Sequence, residues 1–117
     1  MHKLFAVTFT SLLTASVTAT SYAASFDCGK VSAVDEKTIC ADRVLNDKDV
    51  SMALLYSIDR RFMGMGSRGE LIDEQADWLK RRHACGARND CLNALYDQRI
   101  SVLRKFIDER VVTQGPF

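Results

Sequence analysis

The residues of this chain with the widest chemical reach are its four cysteines, which fall into two close pairs, Cys28 with Cys40 and Cys85 with Cys91. Thiols so placed could hold a metal, exchange electrons or staple a fold. Structural zinc sites favour close knuckles such as C-x2-C. Here eleven residues separate the first pair and five the second, and His83 is the one histidine beyond residue 23. A thioredoxin-like site wants C-x-x-C at a helix start after a strand, and no such string occurs. Disulfides are therefore the expectation. Four cysteines allow three connectivities, of which we take the local one, Cys28–Cys40 and Cys85–Cys91. Closing the longer loop is worth about 3 kcal/mol through the entropy it removes from the unfolded chain.

Other candidate chemistry weighs less. Gly64, Gly66 and Gly69 spell G-x-G-x-x-G, but that string cradles phosphate only between a strand and a helix in a βαβ unit, and here a helix precedes it. It reads as a turn. Nucleophilic catalysis needs a base beside a serine or cysteine; His83 sits among like charges, and the nearby Cys85 is assigned to a disulfide. The expectation is a protein with no catalytic residue, no cofactor and no metal, and so not an enzyme. Lys80, Arg81 and Arg82 fan out over most of a helical turn and read as a solvated face, not a basic patch.

Residues 1–23 have the layout of a secretory signal peptide: His2 and Lys3, an apolar stretch from Leu4 to Val17, then small residues ending Ser21-Tyr22-Ala23. The apolar stretch is interrupted by Thr8, Thr10, Ser11, Thr14 and Ser16. That is too short and too polar for a bilayer core needing about 20 apolar residues. Cleavage before Ala24 would give a product with no membrane anchor, in an oxidising compartment, periplasmic or secreted. The 117 residues less these 23 leave 94, enough for one small domain, residues 24–117. Removing Lys3 leaves 15 basic against 15 acidic residues. Without a basic excess, a nucleic-acid partner is not expected.

The elements that must position these residues are helical. Strand signals are nearly absent, and apolar residues recur at helical spacing in three long segments. We predict an all-α fold, a small disulfide-stapled bundle of three longer helices plus a short N-terminal one. Ser32 with Asp35 makes a capping box for the short helix, which carries Val34 and Ile39 to Cys40. The second helix begins at Asn46 or Asp47 and runs to about Met63, with Met52, Leu55, Tyr56, Ile58, Phe62 and Met63 as its apolar face. The glycine-rich turn follows. Ser67 and Glu70 then cap a third helix, Gly69 to about Ala84, which places Leu71, Ile72, Gln75, Trp78, Leu79 and Arg82 along one face, with Trp78 in the core. Asn89 or Asp90 caps the last helix, striped by Leu92, Leu95, Tyr96, Ile100, Leu103, Phe106 and Ile107, with Arg99 and Lys105 off its centre. The tail from Val112 frays.

With that pattern assembled, the chain resembles the LprI-like family of small exported bacterial proteins, called after a mycobacterial lysozyme inhibitor. The likeness is carried by Phe26-Asp27-Cys28, Glu36, Ile39-Cys40, Leu45, Tyr56, Gln75, Trp78-Leu79, Arg82, Cys85-Gly86, Cys91-Leu92, Tyr96, Arg99-Ile100 and Leu103. The chain departs from the family in having Ala76 after Gln75, His83 at a commonly acidic position, and a short glycine-rich turn. Most of these positions have sufficient structural roles, Glu36 and Asp27 at helix starts or paired with Arg82 and Arg99 among them. The resemblance implies a protein partner, a lysozyme whose catalytic cleft is blocked, or else an envelope interaction or stress module with no lysozyme target. On the first reading Arg88, displayed by the Cys85–Cys91 loop, or Arg68, in the glycine-rich turn, pairs with a catalytic carboxylate. Asp42, Asp47 and Asp49 would then steer the protein toward a cationic enzyme.

Overall fold

A computed structural model describes residues 24–113; the predicted signal peptide lies outside them. Four α-helices follow in chain order: α1, Val34–Ala41; α2, Arg43–Phe62; α3, Met65–Cys85; and α4, Asn89–Phe106, which continues as a π-helical segment, Ile107–Val112. There is no strand among the described residues. The fold is all-α, three longer helices and a short first one. Both local disulfides are formed, with Cα–Cα distances of 5.8 Å for Cys28–Cys40 and 5.6 Å for Cys85–Cys91.

The helix boundaries differ from the sequence expectation in one consistent way: the connections are tighter. Asp42 alone separates α1 from α2. Its extended backbone stops the first helix, its N–H closes on the Thr38 carbonyl, and its Oδ1 accepts from the Leu45 amide at 3.0 Å. One residue thus ends one helix and caps the next, and α2 begins before Asn46 and Asp47, which lie inside it. Ser32 caps nothing; Ala33 holds the cap position of α1 with no side-chain bond, and Asp35 turns inward instead.

At the other end of α2, only Met63 and Gly64 precede α3. Gly66 and Gly69 are helical, so the expected glycine-rich turn is two residues long, and Ser67 cannot cap a helix that has already begun. The α3–α4 connection does need a glycine: Gly86 takes φ +56°, a left-handed conformation that side chains disfavour. Arg88 holds the cap position of α4 with no side-chain bond, leaving Asn89 and Asp90 within the first turn.

Contacts between helices set their directions. Asp42 meets Asn89, Lys48 meets Asn93 and Asp97, and Asp49 meets Tyr96, so α2 and α4 run parallel. Met52 meets Gln75, and Gln75 meets Arg99, so α3 returns antiparallel to both. Trp78 sits between them, its Nε1 donating to the Leu95 carbonyl at 3.1 Å and its ring edge-on to Tyr96 with centroids 5.1 Å apart. Ile39, Leu45, Met52, Leu71, Leu92 and Leu103 complete the buried apolar cluster. Phe62, expected on the apolar face of α2, is 53% exposed, and Asp59 occupies the inward register instead.

Candidate functional site

The helical register that buries Trp78 also buries charge. Leu45, Asp49, Met52 and Asp59 share the inward face of α2, and Gln75, Trp78 and Arg82 that of α3, so polar residues enter the core with the apolar ones. Five charged side chains, three acidic and two basic, are buried among the described residues: Asp35, Asp49, Asp59, Arg82 and Arg99.

The larger group lies toward the end that carries both disulfides. Arg82 donates from Nε to Asp35 Oδ2 at 2.9 Å, with Nη2 3.5 Å from Glu36 Oε1 and Nη1 3.8 Å from Asp49 Oδ1. Tyr96 donates its hydroxyl to Asp49 Oδ1 at 2.7 Å, and the Ser25 amide donates to Asp49 Oδ2 at 2.7 Å. His83 Nδ1 lies 3.1 Å from Asp35 Oδ1, and Arg82 also stacks over the Phe26 ring at 5.5 Å. Burial works against the charge on Asp35, but the Arg82 guanidinium and the His83 bond overcome it and hold the carboxyl below its ordinary range. Burial, then the Asp49 charge, pushes the Tyr96 hydroxyl far up, so it stays a proton donor. This network is closed upon itself. Its oxygens are occupied by arginine, tyrosine and backbone donors, and His83 faces a carboxylate instead of a nucleophile. The arrangement can position helices; it has no open reacting pair.

The second group lies nearer the Met63–Gly64 connection and is less complete. Arg99 donates from Nε to Gln75 Oε1 at 2.9 Å and reaches Glu74 Oε2 from Nη1 at 3.2 Å, while its Nη2 is buried without a hydrogen-bond partner. Asp59 is fully buried, and neither carboxyl oxygen has a partner. Burial raises its pKa to about 6 against the opposing charge of Arg99.

The two arginines singled out from the sequence stand at opposite ends of α3. Arg88 is exposed, and its guanidinium folds back on the last carbonyls of that helix, Nε to Cys85 O at 3.2 Å and Nη2 to Ala84 O at 3.3 Å. Arg68 is half-buried in the first turn, with Nη2 donating to the Met63 carbonyl at 3.1 Å. Twenty residues at about 1.5 Å each place them roughly 30 Å apart, so they form no common surface. Asp49 is buried and cannot steer a partner, and Asp42 is committed to its cap and to Asn89; Asp47 alone of the three is exposed and unengaged. Arg82 and Arg99, read as surface or off-centre positions, are core residues.

Sequence reading missed one feature. Arg60 and Arg61, in the last turn of α2, converge with Arg68 and Ser57 on a groove of about 540 Å³. Only the near-contact of α2 and α3 across two residues makes this visible, since a longer turn would splay them apart. Among the described residues no group of three or more His, Cys, Asp or Glu side chains is placed to hold a metal ion, and no helix is long and apolar enough to cross a membrane. No family model, curated protein or solved structure matches the chain. The two disulfides themselves fit an oxidising, extracytoplasmic setting.

Proposed function

We propose that this chain is an exported envelope protein, periplasmic or secreted, that binds a lysozyme-type glycan hydrolase and blocks its cleft, as its resemblance to the LprI-like family implies. The observation supporting it is the stapled turn: the Cys85–Cys91 bond closes a short loop that displays an exposed arginine over a rigid helix end. Such hydrolases work with two carboxyl groups in a cleft. A guanidinium offers a planar fork to a carboxylate, and a loop already ordered loses little entropy on docking. Arg88 would exchange its bonds to the Ala84 and Cys85 carbonyls for the enzyme's carboxylate. Arg68, half-buried at the other end, is left out of this contact.

The test is a turbidity assay with several lysozymes and micromolar mature protein, oxidised and reduced. Oxidised protein should slow at least one enzyme, and reduction or Arg88→Ala should abolish the effect. If no lysozyme is slowed, the reading fails. A second reading, an envelope interaction or stress module, draws on the outer face of α2, where Val50 and Leu54 lie one turn apart at 45% and 59% exposure. Recovery of one defined non-lysozyme partner from an envelope fraction, lost in Leu54→Asp, would favour it.

A further inference from the structure

We infer that the groove at the α2–α3 corner is a binding site for a phosphate-bearing anion. This goes beyond the inhibitor reading and uses the opposite end of the molecule.

Three guanidiniums meet there, from Arg60 and Arg61 at the end of α2 and Arg68 in the first turn of α3, beside the Ser57 hydroxyl. None of the three is ion-paired with a described carboxylate, whereas the buried Arg82 and Arg99 both are. Like charges gathered on a two-residue corner repel one another; the carbonyl end of α2 offsets part of that repulsion, and a bound anion would relieve the rest. Two of the side chains are already oriented. Arg60 lies over the Tyr56 ring at 5.6 Å, and Arg68 is pinned through Nη2 to the Met63 carbonyl while its buried Nε has no partner. Arg61 is exposed and makes no such contact, free to close over a ligand.

The adjoining start of α3 adds to the same field. Its cap is Gly64, which brings no side-chain acceptor, and its first turn holds no acidic residue, so its leading amides are uncompensated. A single carboxylate satisfies one guanidinium fork. Three guanidiniums match instead the three oxygens and near-double charge of a phosphate monoester or the terminal group of a diphosphate. A nucleic-acid strand is not the fit, because the described groove is short and lined with one serine in place of stacking rings.

The groove is tested with inorganic pyrophosphate as the probe, titrated into the disulfide-intact protein and followed by amide chemical shifts. Vesicles of phosphatidylcholine with and without a phosphatidic acid component form a second arm. Shifts should concentrate at Ser57, Arg60, Arg61 and Gly64–Arg68, and weaken with added salt. Arg61→Gln should bind about tenfold more weakly, the loss of one charge-assisted pair, with an unchanged melting temperature. Arg88→Gln should bind as well as the parent. Binding to pyrophosphate alone makes a free anion the ligand, and binding to phosphatidic acid vesicles makes it a lipid headgroup. Absence of binding in both arms, or equal loss in Arg61→Gln and Arg88→Gln, overturns the assignment. Neither result touches the lysozyme assay.

Discussion

The two ends of this bundle are ordered by opposite means. At one, two disulfides, a one-residue helix connection and a saturated ion network hold α1, α3 and the starts of α2 and α4 together. At the other, two residues join α2 to α3, no cysteine is present, and buried charge is left incompletely bonded. Charge inside a protein is costly wherever it lies, so the difference is one of completion: Asp35 and Asp49 have donors, and Asp59 has none. The stapled end is built to keep one shape. The open end retains unmet capacity for polar contact, inside at Asp59 and outside at Arg60, Arg61 and Arg68.

The largest effect should come from breaking the saturated network. Arg82→Ala strands Asp35 and Asp49 without their cation and should cost about 3–5 kcal/mol in urea unfolding, whereas Arg61→Ala at the open end should fall within about 0.5 kcal/mol of the parent. Equal losses would erase the contrast. Next come the staples. Replacing Cys28 and Cys40 together by serine should cost roughly 3 kcal/mol, and Cys85 with Cys91 roughly 2, since the second closes a shorter loop.

Acid should act on the two ends with opposite sign. Asp35 has a lowered pKa, so the stability it lends is present above the ordinary carboxylate range and is lost as pH falls through that lowered value. Asp59 binds its proton more tightly folded than unfolded. Its contribution therefore declines as pH rises from 3.8 to about 6. Asp59→Asn should remove that decline and raise stability at pH 7.5 by roughly 2 kcal/mol, measured as the difference between parent and variant melting curves across pH 4–7.5. A flat difference would mean that Asp59 is ionised at no cost. The smallest effect is Gly69→Ala, where an added Cβ meets nothing within 4 Å inside a helix. It should stabilise by about 0.5–1 kcal/mol, and a loss would restore the turn that sequence alone suggests there.

Helix number, core tryptophan and disulfide partners were legible because each depends on local pattern: Leu71, Trp78 and Cys85 recur at one face, and the cysteines lie close in sequence. Helix ends were less so. A capping-box search favours Ser32 and Ser67, yet Ala33 holds the cap position of α1, and at the two very short connections Asp42 caps α2 and Gly64 precedes α3. The buried arginines illustrate a different limit. Arg82 stood in the predicted face of α3 with Gln75 and Trp78, so register alone put it inside. Its place among three adjacent cations points outward instead, and in this helix the period outweighs the charge type. Asp59 had the same signal, seven residues on from Met52. The arginine groove had none, since it joins positions across a corner whose tightness the sequence misjudged.

The local pairing of the cysteines also has a consequence for how the molecule is made. On the proposed export route, a chain emerging N-terminus first would present Cys40 when Cys28 is its only possible partner, with Cys85 and Cys91 following together. Order of arrival would then favour the native bonds among the three possible sets. On that route no disulfide would need reshuffling, and the second crosslink would be added to a chain whose first is already closed.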